Sequence, residues 1–415
     1  MLARLRLPVA LVAALVVAEA AVLLMRPRDG LEPVDVAPQT YFSAAQIERA
    51  EDYRSGQLWL YGARLAIELG LLTAIVRRPP HFLERAFRRP VLAGAVTAVA
   101  LSAALTVATL PVRAISRERA KDVGLVTQNW TGWLGDVVKG IGIDAVLVGA
   151  GGGLLVFGMR RFGRRWWAPA AVVAVGFGVV VTYASPIVLD PLFNRFEPLP
   201  RGALRADVLE MARRAGVRVG EVYVMDASRR TTAANAYVAG LGGTKRVVLY
   251  DTLIDEFSPE EVRLVVAHEL GHVHYDDVPR GLLYLAIVAP FGMLAAARLG
   301  ERLAPPNSLG TPAALPATVL AISLMVPAVT TVSNQLSRAV EARADRYAME
   351  LTGDPRQLIA FQRRIAVQNV SDPEPPAWVS FLLGTHPNTM QRIGQALALS
   401  PDGQGVGGAG PREGS

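Results

Sequence analysis

The 415-residue chain contains no cysteine. That excludes a disulfide framework, a thiolate nucleophile, a Cys-ligated metal and a palmitoylation site, so any metal site must draw on histidine and carboxylate. Histidine is scarce too, at five residues. Charge is thin: Asp, Glu, Lys and Arg make up 19% of the chain, against roughly 25% in soluble proteins. Hydrophobic residues fill the difference at 51%, with a mean hydropathy of +0.30, and they lie in long uncharged blocks. Disordered, collagen-like and disulfide-scaffold classes are excluded by these figures, and an integral membrane protein is expected. The basic residues, 43 against 36 acidic for a net charge of +7, are nearly all Arg. No basic stripe interleaves with aromatics, so no nucleic-acid partner is expected. The partner implied is the lipid bilayer, with Arg in short loops fixing topology and meeting anionic lipid.

A hydrocarbon core about 30 Å thick needs roughly 20 apolar residues of helix. Seven stretches qualify: Leu7–Met25, Leu58–Val76, Val91–Val112, Ile141–Met159, Ala168–Leu189, Gly281–Leu299 and Ala313–Val332. The first has a long apolar run and no small-residue cleavage site before the polar segment, so it reads as an uncleaved span. Pro290, Pro316 and Pro327 interrupt the last two, which spans tolerate when neighbours satisfy the freed carbonyls. Arg64 and Glu68, four apart within a span, are placed to pair. Five units follow: a transmembrane region of five spans (1–189), a polar segment (190–280), two further spans (281–333), a second polar segment (334–399) and a Gly/Pro-rich disordered tail (400–415).

In the first polar segment Arg201–Ala215 reads as an amphipathic helix and Glu221–Met225 as a strand. Asn235–Val238 and Arg246–Tyr250 flank a Gly-rich stretch and read as a hairpin. Ser258-Pro259-Glu260-Glu261 is a capping box with proline at the first helical position, which starts a helix running to about Tyr275.

That helix carries His268-Glu269-Leu270-Gly271-His272, an HExxH sequence. Histidines four apart share a helix face and can reach one zinc ion, while Glu269, one position round, can take a proton from water without being a ligand. Three of the five histidines sit on this helix; His274 points elsewhere and reads as a partner of the helix C-terminus. A tetrahedral ion lacks a third protein ligand, and Glu341 and Asp345 lie four apart on the helix after the last span. Two readings are open there: an ordinary charged surface pair, or Glu341 as ligand with Asp345 orienting a ligating histidine. His386, in Gly384-Thr385-His386-Pro387-Asn388, is either a loop residue or a donor to a developing oxyanion.

Several ordered motifs together resemble a family. They are Pro191-Leu192-Phe193-Asn194-Arg195-Phe196, Asn235-Ala236-Tyr237 with Gly240, Thr244-Lys245-Arg246, Asp251-Thr252-Leu253, the HELGH, Ser337-Arg338 with Glu341 and Ala344-Asp345, and His386-Pro387 with Arg392. From about Pro186 to Leu397 the chain is similar to integral-membrane zinc metallopeptidases of the CAAX prenyl protease 1 type, related to the bacterial heat-shock membrane protease. The resemblance implies one zinc per chain at His268, His272 and Glu341, with Glu269 as general base. It implies Asn235 and its strand at the substrate, and His386 and Arg392 near the transition state. Asn388 departs from the pattern, where many relatives carry a second proline.

The fold expected is therefore mainly helical: a seven-helix transmembrane bundle with a small α+β HExxH zinc-protease unit. The function expected is peptide hydrolysis on an extended peptide or membrane-protein substrate. Alternatives are membrane-protein quality control without prenylated substrates, a transporter, or a non-catalytic membrane scaffold. The Arg-, Ala-, Gly- and Val-rich composition suggests a GC-rich bacterial genome and a bacterial cell membrane. Orientation pulls two ways. Five Arg in 77–90 and four in 160–165 place those loops in the cytoplasm and the polar unit outside, whereas the resemblance implies a cytoplasmic catalytic unit.

Overall fold

The computed structural model describes residues 2–84, 88–240 and 245–400. Seven helices are long and apolar enough to cross a bilayer: α1 (Leu2–Met25), α2 (Ala44–Arg77), α3 (Pro90–Asp122), α4 (Trp130–Phe162) and α5 (Trp167–Val188), then α10 (Asp277–Leu303) and α11 (Leu315–Thr352). The expected bundle is present. Several helices outrun their apolar stretches: α2 has 34 residues and α4 has 33, about 50 Å of helix at roughly 1.5 Å per residue. Their ends therefore stand clear of the hydrocarbon. Pro290 and Pro327 lie inside α10 and α11 without ending them, and Pro316 falls in the first turn of α11, where its missing N–H costs nothing. Arg64 Nε donates to Glu68 Oε1 at 2.8 Å along α2.

The helix α1 runs antiparallel to α10. Ala10 and Ala14 meet Ala295, while Ala18, Ala21 and Val22 meet Tyr284 and Val288. Small residues on α1 let the two backbones approach, the usual basis of helix pairing where lipid removes the hydrophobic drive.

Between α5 and α10 lie α6 (Asp190–Phe193), β1 (Phe196–Pro198), α7 (Ala203–Arg214), β2 (Glu221–Met225), β3 (Ala236–Ala239), β4 (Arg246–Tyr250), α8 (Asp251–Glu256) and α9 (Pro259–His274). After α11 come α12 (Pro355–Gln368), α13 (Ala377–Leu383) and α14 (Thr389–Leu399). The sheet has the order β1-β2-β4-β3, with β2 and β4 parallel and the other pairs antiparallel. The expected hairpin is β3–β4, in register with Tyr237 opposite Val248. Its turn at 241–244, and the tail from 401 to 415, lie outside the described residues.

Val222, Val247 and Leu249 of the sheet pack with Leu264, Val266 and Leu270 of α9 and with Met349 and Leu358 of α11 and α12 in one core. Segments on either side of the last two spans thus share a single hydrophobic interior, and its burial holds α9 against α11. The connection between α1 and α2 crosses this unit in extended form: Val34 N–H donates to the Gly394 carbonyl at 3.1 Å, and Arg346 Nη1 donates to the Asp29 carbonyl at 2.8 Å.

Candidate metal centre

Helix α9 starts as its sequence demands. The Ser258 side chain accepts from the Glu261 N–H, and the Glu261 side chain accepts from the Ser258 N–H. Its apolar positions face the core, which turns His268 and His272 toward α11. The two helices approach closely at Gly271, where a Cβ would lie 3.1 Å from Tyr347 Cδ1 and 3.5 Å from Ala344 Cα. The glycine of HELGH is thus a packing requirement that sets how near the imidazoles come to Glu341.

On α11 the residues Asn334, Arg338, Glu341 and Asp345 follow spacings of three and four, one face of a helix. That face meets α9 and the segment around α13. His268 Nε2 lies 3.2 Å from Glu341 Oε2 and 3.2 Å from His272 Nε2, and His272 Nε2 lies 3.6 Å from Glu341 Oε1. Ligand atoms of His268, His272 and Glu341 all fall within 4.8 Å of one another.

Each imidazole is oriented through its other nitrogen. His268 Nδ1–H donates to Asp345 Oδ1 at 2.9 Å, and His272 Nδ1–H donates to Asp277 Oδ2 at 3.0 Å. Both Nε2 atoms are thereby presented to the same point, the arrangement typical of metal-bound histidine. Asp345 is fully buried and also accepts from Arg392 Nε at 2.6 Å and Nη2 at 2.5 Å. Asp277 is held in turn by Arg343, which is buried and stacks over Tyr275, 4.1 Å from its centroid.

A cation fits these residues. Glu341 Oε2 is buried and has no hydrogen-bond partner, an expensive state for a carboxylate oxygen. A cation among the three groups supplies what it lacks. Burial opposes an imidazolium at His268, but the neighbouring carboxylates of Asp345 and Glu341 outweigh it and push the group up to about 10. Glu269 is half-buried on the same helix, and burial pushes its carboxyl up, against the pull of His268 and His272.

The structure brings His386 to the same point. Its Nε2 lies 3.4 Å from Glu341 Oε2, and Nδ1 is 2.8 Å from the Thr385 hydroxyl. Burial pushes its imidazole down. Arg338 holds this turn in place, Nη1 donating to the carbonyls of Ser380 at 3.0 Å and Gly384 at 2.7 Å. Asn235, exposed at the start of β3, shares a cavity of about 120 Å³ with Glu269, His386 and Arg392. All eight residues singled out from the sequence thus lie in or against one site. Arg392 stands there mainly as the half-buried partner of Asp345. His274 is elsewhere, donating from Nδ1 to the Ala215 carbonyl at 3.2 Å and stacking on Tyr347, so it ties α9 to α7 and α11 instead of capping its own helix.

Sequence reasoning missed Asp277 and its holder Arg343, and the pinning role of Arg338. The signals were present: an acidic pair directly after the HExxH helix, and an arginine three residues before Glu341.

The comparisons agree with this geometry. Residues 198–400 match peptidase family M48, and residues 34–195 match the CAAX prenyl protease N-terminal region of five membrane helices. The uncharacterized metalloprotease YhfN of Bacillus subtilis (strain 168) is 28% identical over 374 residues, 86% of this chain and 87% of its own length. A CAAX prenyl protease 1 homolog of Oryza sativa subsp. japonica is 32% identical over 221 residues, about half of either chain at 52%. The crystal structure of S. mikatae Ste24p shares the fold, with a TM-score of 0.73 at 19% identity over 95% of this chain and 99% of that one. The chain belongs to peptidase family M48 and is an integral-membrane metalloprotease related to CAAX prenyl protease 1.

Proposed function

We propose that the chain holds one zinc ion between His268 Nε2, His272 Nε2 and the Glu341 carboxylate, and cleaves peptide bonds as an endopeptidase resembling CAAX prenyl protease 1. The observation that carries this is the convergence of the three ligand atoms within 4.8 Å, with both outer imidazole nitrogens already taken by carboxylates. Two nitrogens and one carboxylate with an open fourth position is a set suited to catalytic zinc. A bound zinc supplies a Lewis acid that polarises the scissile carbonyl and makes water easier to deprotonate.

The chain's own residues do the rest. Glu269 takes the proton of the attacking water and returns it to the leaving amine, and a carboxyl pushed up by burial is better matched to that exchange at neutral pH. His386 donates to the oxygen on which charge develops. The edge strand β3, beginning beside Asn235, pairs with an extended substrate backbone. Arg392 has two of its nitrogens committed to Asp345, so its contact with substrate is made by what remains of the guanidinium. The working unit is assembled from 190–280 and 334–399, with 1–189 and 281–333 as its membrane frame. Within this activity, quality control of membrane proteins is a second reading of the substrate. It is favoured by a composition typical of GC-rich bacteria, in which prenylated substrates are unexpected.

Metal analysis of the purified protein beside a peptide-cleavage assay tests the proposal. Glu269→Gln should abolish cleavage with zinc retained, because the amide cannot accept the proton while all three ligands remain. In the parent chain the acid limb of the rate profile should lie above pH 4.5, the ordinary value for the carboxyl, since burial raises the group and activity is lost as pH falls through the raised value. Loss of zinc in Glu269→Gln would make Glu269 a ligand and overturn the assignment of roles.

A further inference from the structure

The seven helices bring four separate stretches of sequence to the end of the bundle opposite the metal centre. Antiparallel packing of α1 on α10 puts the start of α1 beside the end of α10. The turn between α4 and α5 touches the α10–α11 connection, where Arg164 Nη2 reaches Glu301 at 2.6 Å and Arg160 packs on Gly310. The short helix His81–Glu84, between α2 and α3, lies against Pro312–Ala314 of the same α10–α11 connection.

Residues 1–6, 77–90, 160–165 and 298–314 together hold thirteen Arg and two Glu. At the other end of the bundle, 26–57 and 113–140 hold nine basic and nine acidic residues. The structure sharpens that contrast. At the balanced end five of the nine cations are occupied by the protein: Arg54 with Asp372, Arg117 with Glu118, Lys139 with Asp136, and Arg49 and Arg119 with backbone carbonyls. At the Arg-rich end the ion pairs seen join Glu301 to Arg164 and Arg298. Arg77, Arg78, Arg88, Arg89, Arg160, Arg161 and Arg165 are exposed and have no carboxylate partner among the described residues. Trp167, half-buried, follows at the start of α5, where aromatic rings mark the edge of the hydrocarbon.

We infer that this Arg-rich end docks on the anionic phospholipid headgroups of the cytoplasmic leaflet, so that the metal centre works on the extracytoplasmic side of the membrane. The physical reason is twofold. Unpaired guanidiniums bind lipid phosphates bidentately, and the cytoplasmic leaflet carries the negative surface potential that attracts them. Short loops rich in Arg are also retained in the cytoplasm during insertion. This placement is opposite to the one the family resemblance implies. It rests on the membrane bundle alone and is independent of the proposed hydrolysis. Joined to that hydrolysis, it restricts substrates to peptides presented outside the cytoplasm.

The absence of cysteine makes the test direct. Two single-cysteine variants of the full chain, Glu210→Cys on α7 of the catalytic unit and Leu309→Cys at the Arg-rich end, are exposed to a membrane-impermeant maleimide in intact bacterial cells and after permeabilisation. Residues 210 and 309 are both solvent-accessible. Glu210→Cys should label in intact cells and Leu309→Cys only after permeabilisation. The reverse pattern, or labelling of both in intact cells, overturns the inference. Adding Arg77→Asn, Arg78→Asn, Arg160→Asn and Arg161→Asn to the Glu210→Cys chain should lower its labelling in intact cells severalfold. Labelling that stays unchanged would overturn the guanidiniums as the cause of orientation. A chain that labels as expected and cleaves no peptide would refute the proposed activity and leave the orientation standing.

Discussion

Replacing Asp345 with asparagine separates two things the carboxylate does at once. It accepts from His268 Nδ1 at 2.9 Å and from two nitrogens of Arg392 at 2.6 and 2.5 Å, with none of its side chain exposed. Loosening the histidine typically costs about 10–100-fold in metal affinity, or roughly 1.4–2.7 kcal/mol at 1.36 kcal/mol per decade. Leaving the largely buried Arg392 without its paired carboxylate is the larger effect, since breaking a buried pair from one side costs about 3–5 kcal/mol. Asp345→Asn should therefore lose stability by more than it loses zinc affinity. Thermal unfolding in detergent and chelator competition for zinc measure the two on one preparation. Arg392→Gln keeps the His268 hydrogen bond, so it should affect stability and spare most of the metal affinity. Combining both changes should cost much less than their sum, because the second removes the charge the first stranded. Full stability with lowered zinc affinity in Asp345→Asn would refute the reasoning about Arg392, and no change in either would reduce Asp345 to a bystander.

Asp277→Asn should lower zinc affinity by about 10–100-fold through His272 while leaving His268 oriented, which chelator competition reads directly; unchanged affinity would remove Asp277 from the site. His386→Ala should lower the turnover number by about 100–1,000-fold, the usual result of removing one oxyanion donor, with zinc content and melting temperature retained. Near-normal turnover in a folded, zinc-loaded variant would return His386 to the turn. Gly394→Ala puts a Cβ 2.3 Å from the Val34 carbonyl oxygen, so the crossing segment or α14 must shift at about 1–3 kcal/mol. An unaltered melting temperature would show that this contact is not firmly held.

Each apolar stretch determines its own state, because a helix in lipid satisfies its backbone within one segment. That is why seven spans, the Ser258 capping box and the β2 and β4 strands were legible, although α2, α3, α4 and α11 run well past the apolar stretches that marked them. The HExxH and the pairing of Glu341 with Asp345 were legible for a related reason: helical spacing alone puts their side chains on one face. The sequence was silent wherever a contact joins elements distant in the chain. Nothing local says that Arg392 neutralises Asp345, that Asp277 orients His272 under the hold of Arg343, or that His274 turns away to Ala215. Nor does it say that the helix beginning as the last span ends as the ligand helix, which required α11 to continue unbroken from Leu315 to Thr352. The identity of the site residues was local information, set by residue type and spacing. Their geometry was not, because the approach of α9 to α11 is set by the core they share and by the absence of a side chain at Gly271.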